Sequence, residues 1–290
     1  MQPDAREVRD GTDVAMTVGW RRPRAAEALP LVVLLAVVAV RELRPLAPLA
    51  LAAGLLLSLR SADAGRNGSS AAWAWGAALP LSLSLAWGTL GAPQPPPGVA
   101  GCADPLSPFA LWRLAEAAIA LGALALVARR LRADRASLSL RWPGPTTVVL
   151  ACAGAVAAGP LALVLSAAVA APFFGGFRLE LGLAGAIVPA LVFSASNGAM
   201  EELLYRGALQ GWAARAIGRS GAFVFQAAVF GFAHAGPDFV ASPAPVVLAL
   251  TAAAMLAGLI VWRTRSLLLP IAVHAAFDIP IYYYFACRVG

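Results

Sequence analysis

Residues 146–171 read TTVVLACAGAVAAGPLALVLSAAVAA, and none of them is charged. At 1.5 Å per residue a helix over this run is about 39 Å long, more than a hydrocarbon layer of about 30 Å. Runs of the same kind lie on both sides. Before it come Ala25–Val40, Pro45–Leu59, Ala71–Leu90 and Phe109–Val127; after it come Leu181 to about Ile217, Gly221–Ala235, Pro245–Trp262 and Leu267–Phe285. The expected fold is all-α, a polytopic transmembrane helix bundle of eight or nine spans. The first two runs are short enough to form a re-entrant pair instead.

Composition excludes the soluble alternative. The chain is 60% hydrophobic and 13% charged, against roughly 25% charged for a soluble domain. So few polar residues cannot cover so much apolar surface in water, whereas lipid tails solvate it directly. The formal charge of +7 comes entirely from Arg, because the chain has no Lys. No basic patch is interleaved with aromatics, so the excess reads as membrane topology and no nucleic-acid partner is expected. Cys102, Cys152 and Cys287 are too scattered for a disulfide framework or a zinc knuckle.

Charge also sets an orientation. Arg21, Arg22 and Arg24 precede the first apolar run in the order of a signal peptide, but Arg41 to Arg44 follow at once without a small-residue cleavage site. An uncleaved first span is expected, with residues 1–24 a cytoplasmic tail. Arg60 and Arg66, Arg129 to Arg141, Arg215 and Arg219, and Arg263 and Arg265 then share the cytoplasmic side. The loops Gly91–Pro108 and Gly236–Ala244 lack Arg and lie opposite, the first of them a rigid Pro-rich connector at Ala92–Pro97. Arg41, Arg44, Arg178 and Arg288 run against this pattern. The expected membrane is a bacterial inner membrane. Residues 25–140 are expected to supply transmembrane helices without a recognisable signature, and 141–290 the core that carries the chemistry.

Polar residues inside the spans mark that chemistry. Each ionisable residue at a helix centre costs about 2.5–3.5 kcal/mol on insertion scales, so such residues pair or line a wet cavity. Arg113 and Glu116 are three apart on one helix and are expected to pair. The remaining groups fall into three motifs. In Glu201-Glu202-Leu203-Leu204-Tyr205-Arg206, Glu202 and Arg206 are one turn apart and can form an ion pair, leaving Glu201 on another face beside Asn197. The second motif is Phe230-x-x-x-His234 and the third His274-x-x-x-Asp278, and these two are the only histidines in the chain.

Spacing brings the motifs together. The turn Gly218-Arg219-Ser220-Gly221 lies 16 to 17 residues from both Glu201 and His234, roughly 25 Å along each arm of a helical hairpin. Glu201 and His234 are therefore expected at one level. His274 is expected about 10 Å in from the Arg263/Arg265 face, so the three can meet if the hairpin turn projects beyond the bilayer.

The ordered set Glu-Glu-x-x-x-Arg, Phe-x-x-x-His and His-x-x-x-Asp resembles the CPBP family of intramembrane glutamic endopeptidases, which includes the type II CAAX prenyl endopeptidases. Arg263-Thr264-Arg265-Ser266-Leu267-Leu268-Leu269-Pro270-Ile271 resembles the segment these proteins carry before the second His. The resemblance spans about Ala184 to Tyr284. It implies an endopeptidase acting near the cytoplasmic face on a membrane-anchored protein or peptide, with the bilayer as its surroundings and no cofactor. Glu201 would be the base that activates water, helped because a carboxylate in a partly dry cavity binds protons more readily than one in water. His234 would hold that water or pass the proton to the leaving amine, and His274 would donate to the oxyanion. Glu202, Arg206, Asn197 and Phe230 would support them. Many relatives carry Asn where this chain has Asp278, and an ionised Asp cannot donate to an oxyanion. Asp278 is expected either to be protonated or, the favoured reading, to orient His274 from behind as a carboxylate.

Two other readings compete. Glu201, His234 and His274 form a familiar ligand set for catalytic zinc, although the chain lacks His-Glu-x-x-His. A non-catalytic scaffold or immunity protein, or a proton-coupled transporter, would also keep ionisable residues in the membrane; no inverted repeat supports transport. Substrate identity and oligomeric state have no signature in the sequence.

Overall fold

The computed structural model describes residues 24–63, 69–91, 107–169, 183–235 and 243–286. The N-terminal tail to residue 23, the Pro-rich connector, the Gly236–Ala244 loop up to residue 242, Cys102, Cys287, Arg178 and Arg288 lie outside the described residues.

Every expected apolar run is a helix. In chain order these are α1 (Ala25–Ala39), α2 (Ala47–Asp63), α3 (Ser69–Gly88), α4 (Pro108–Arg130) and α5 (Pro145–Val169). Next come α6 (Leu183–Glu202), a π-helical segment (Leu203–Leu209), α7 (Gln210–Ala233), α8 (Pro243–Thr264) and α9 (Leu268–Ala286). Among the described residues there is no strand, only an isolated antiparallel bridge between Leu140 and Ser266. By length and composition four segments can cross a membrane: Pro108–Arg130, Pro145–Leu165, Gly185–Ala233 and Ala244–Thr264. The third of these contains both arms of the expected hairpin. Gly218 breaks it with φ 78° and ψ 166°, a conformation open essentially to glycine alone. Shorter apolar helices occupy Ala25–Ala39, Ala47–Ser61 and Leu268–Tyr283.

The bundle is apolar inside and out. α3 is its most enclosed helix, burying Ala71, Ala72, Trp73, Ala74, Trp75, Ala77, Ala78 and Leu81. It packs on α1, α2, α4 and α7, and one continuous core joins these helices to the π segment. α5 packs mainly on α9, and α8 on α7. Their outer faces expose Val156, Val164, Leu248 and Leu256, which a bilayer solvates and water does not. The chain is an integral membrane protein.

The expected pairing on α4 is present. Arg113 Nη1 lies 2.7 Å from Glu116 Oε2, and Ser84 on α3 donates to Glu116 Oε1 at 2.6 Å. Arg44, which runs against the charge pattern, has a structural use: its Nε and Nη2 donate to the carbonyls of Val37 and Val38 at 3.3 and 3.1 Å. These are orphan acceptors at the C-terminal end of α1.

Candidate active site

The α6–α7 hairpin supplies the first two motifs. Arg206 and Phe230 are each twelve residues from Gly218, and the Arg206 guanidinium rests on the Phe230 ring, 4.3 Å from its centroid. That contact shows the two arms in register. Arg206 Nη1 is also 3.1 Å from Glu202 Oε1, the expected one-turn ion pair, with both side chains 2% exposed. Salt-bridge distance and the aromatic face together hold this buried cation.

α6 ends at Glu202 and the π segment begins at Leu203. A π turn inserts extra backbone into a helix and so shifts the faces on either side of it, a feature frequent at functional sites. Nothing in the sequence announced it.

α9 brings in the third motif. His274 Nδ1 lies 2.8 Å from Glu202 Oε1, and against an ionised carboxylate that nitrogen carries the proton and donates. His274 Nε2 is 3.6 Å from Glu201 Oε2 and 3.7 Å from Asp278 Oδ2, beyond hydrogen-bond range for both. Asp278 accepts instead from Asn197 Nδ2 on α6, at 2.7 Å. The hydrogen bond that His274 makes is to Glu202, while Asp278 Oδ2 stands 3.7 Å from His274 Nε2. The physical reason is that Asn197 draws the Asp278 carboxylate across to α6, while Glu202 at the mouth of the π segment reaches the other side of the ring. Glu202 joins Arg206 and His274 through one oxygen.

Close approach of α6 and α9 makes these contacts possible. A Cβ on Gly198 would lie 3.0 Å from Ala275 N and 3.3 Å from Ile271 O, so only glycine lets the two backbones approach this closely without a shift. Sequence reasoning missed Gly198; its signal was Ser194-x-x-x-Gly198, a small-residue pair at membrane-helix contact spacing.

His234 ends α7 as its C-cap. Its Nδ1 lies 2.7 Å from Phe230 O; a carbonyl only accepts, so Nδ1 carries the proton and Nε2 has the lone pair in the neutral ring. The Phe230 ring is the hub that joins the motifs. Its centroid is 4.7 Å from that of His234, 6.2 Å from that of His274 and 5.0 Å from that of Tyr205. The structure therefore gathers Glu201, Glu202, Arg206, Asn197, His274 and Asp278 by direct polar proximity, and His234 through Phe230. Tyr205, buried at 3% exposure, is a further wall residue that the motifs did not single out.

The chemistry open to this cluster follows from what is satisfied. Glu201 Oε2 and Asn197 Oδ1 are buried without a hydrogen-bond partner among the described residues, although buried polar atoms are nearly always paired with protein or water. Both lie on the α6 face that meets α9.

Residues 183–280 match the family model described as "Rce1-like: Type II CAAX prenyl endopeptidase Rce1-like". The matched stretch contains all the site residues from Asn197 to Asp278 and is consistent with the CPBP family. No curated protein and no solved structure matches the chain.

Proposed function

We propose that this chain, with its Rce1-like segment at 183–280, is an intramembrane endopeptidase that cleaves a membrane-associated protein or peptide near the cytoplasmic face. The family match supports a CAAX-type membrane protease in general. The observation that carries the finer reading is the environment of His274. Glu202 holds its Nδ1 at 2.8 Å, and its Nε2 stands 3.6 Å from Glu201 Oε2, which no other group in the described residues binds.

In the proposed reaction Glu201 takes a proton from water as the water oxygen bonds to the scissile carbonyl carbon. The carbonyl π pair moves onto oxygen, and doubly protonated His274 donates from Nε2 to that oxyanion. The proton then passes to the leaving nitrogen, with His234 Nε2 as the relay; the C–N bond breaks to give a carboxylic acid and an amine. Asn197 and Asp278 hold each other beside the oxyanion donor. Glu202 and Arg206 keep His274 in place. The Arg distribution supports a cytoplasmic N-terminus, and the Arg- and Ala-rich composition supports a bacterial inner membrane.

No metal takes part in this scheme. Detergent-purified protein incubated with a panel of membrane peptides is expected to cleave equally well with and without a strong zinc chelator. Activity lost to the chelator and restored by added zinc would replace this scheme with a metallopeptidase.

A further inference from the structure

The connection from α4 to α5 lies outside the candidate site, yet its fold is tightly specified. Asp134 caps a short 3-10 turn at Arg135–Leu138, accepting from Ser137 N at 2.9 Å. Trp212 Nε1 donates to Ser137 Oγ at 3.2 Å, Leu138 is buried, and Arg141 N donates to Arg265 O at 3.3 Å. With the Leu140–Ser266 bridge, this binds the α4–α5 and α8–α9 loops into one plate. The non-glycine residues with positive φ among the described residues all belong to it: Arg132, Ser139 and Arg265. Such conformations persist only where surrounding contacts fix them.

What the plate presents is strongly one-sided. Arg129, Arg130, Arg132, Arg135, Arg141 and Arg263 are exposed, and among the described residues none of them has an ion pair. The single acid between residues 129 and 144 is Asp134, whose carboxylate caps the turn. Arg129, Arg130 and Arg263 also balance the C-terminal ends of α4 and α8; Arg132, Arg135 and Arg141 lie outside the last turns of both. Beside Arg141 stands Trp142, 96% exposed and three residues before the start of α5. An indole left in water gains nothing, whereas at the boundary between headgroups and hydrocarbon both its apolar ring and its N–H are satisfied.

We propose that this plate is a docking surface for acidic phospholipids, with Trp142 seated at the glycerol level and Arg132, Arg135 and Arg141 on the headgroup phosphates. Topology alone needs arginines on this side of the membrane. It needs neither a rigid frame for them nor an exposed tryptophan at its edge. The proposal is independent of the peptidase reading.

The test is lipid binding by the detergent-solubilised full chain, followed by native mass spectrometry with phosphatidylglycerol and phosphatidylcholine as probes. Phosphatidylglycerol is expected to bind on the order of 100-fold more tightly, with an affinity that falls as salt rises. Replacing Arg132, Arg135 and Arg141 together by Gln should weaken it on the order of 100-fold, about fivefold per arginine, and leave phosphatidylcholine binding unchanged. The triple Lys variant should keep most of the preference and serves as the test if the Gln variant does not fold. Equal binding of the two lipids, an undiminished preference in the Gln variant, a salt-independent affinity, or competition by free glycerol phosphate as strong as by the lipid would each overturn it.

Discussion

Glu201 and Glu202 are neighbours in sequence with opposite environments. Glu202 is 2% exposed and shared between Arg206 and His274, whereas Glu201 is 12% exposed and its Oε2 lacks a hydrogen-bond partner in the described residues. Their substitutions should therefore separate. Glu202→Gln strands the buried Arg206 guanidinium and is expected to lower stability by about 3–5 kcal/mol, the usual consequence of breaking a buried pair. Glu201→Gln removes no such partner and should unfold within about 1 kcal/mol of wild type. Chemical denaturation in one detergent checks both; equal losses would contradict the division. At this scale the sequence was a good guide to which residues gather, because an ionisable group in a span needs a partner and few candidates existed. It was a poor guide to who bonds whom. Asp278 at i+4 was the local choice to orient His274, yet Asn197 competes for it across the helix contact. No one-dimensional spacing ranks a partner 81 residues away above one on the same helix.

The helices themselves were legible. Their apolar runs, and the Gly218 turn about equidistant from Glu201 and His234, follow from the energetics of backbone in lipid, which leave only helices and breaks at glycine. The π segment and the tight α6–α9 contact were not. Both depend on how side chains of separate helices interlock rather than on local preference. Gly198 offers the test that belongs here. Its Cβ would meet Ala275 N at 3.0 Å, a backbone atom that cannot rotate away. Gly198→Ala should be mildly destabilising, and Gly198→Val should force α6 from α9 and remove the contacts of Glu201, Glu202 and Asn197 with α9. Thermal midpoint and peptide cleavage are expected to fall together, by about 1–3 kcal/mol or more in stability for Val. A valine variant as stable and active as wild type would show that the approach is not required.

At the scale of the whole molecule, the helices before the family-matched stretch share its core. Trp73 on α3 meets Trp212 edge-on at 5.3 Å and carries the Arg215 guanidinium 3.8 Å above its ring centroid. A chain lacking residues 1–107 therefore loses the wall behind the hairpin. It is expected to extract from membranes as aggregate and to cleave nothing; a monodisperse, active fragment on size exclusion would show that α1–α3 are dispensable. Their contribution was invisible in the sequence because they carry apolar surface and no chemical motif. The most direct measurement of the central claim is the cleavage rate of purified Glu201→Gln beside wild type on the same membrane peptide, with folding of both verified by thermal unfolding. A folded variant with cleavage reduced by at least 1,000-fold, about 4 kcal/mol of lost barrier lowering, is the expected result. A folded Glu201→Gln protein that cleaves as fast as wild type would contradict Glu201 as the base.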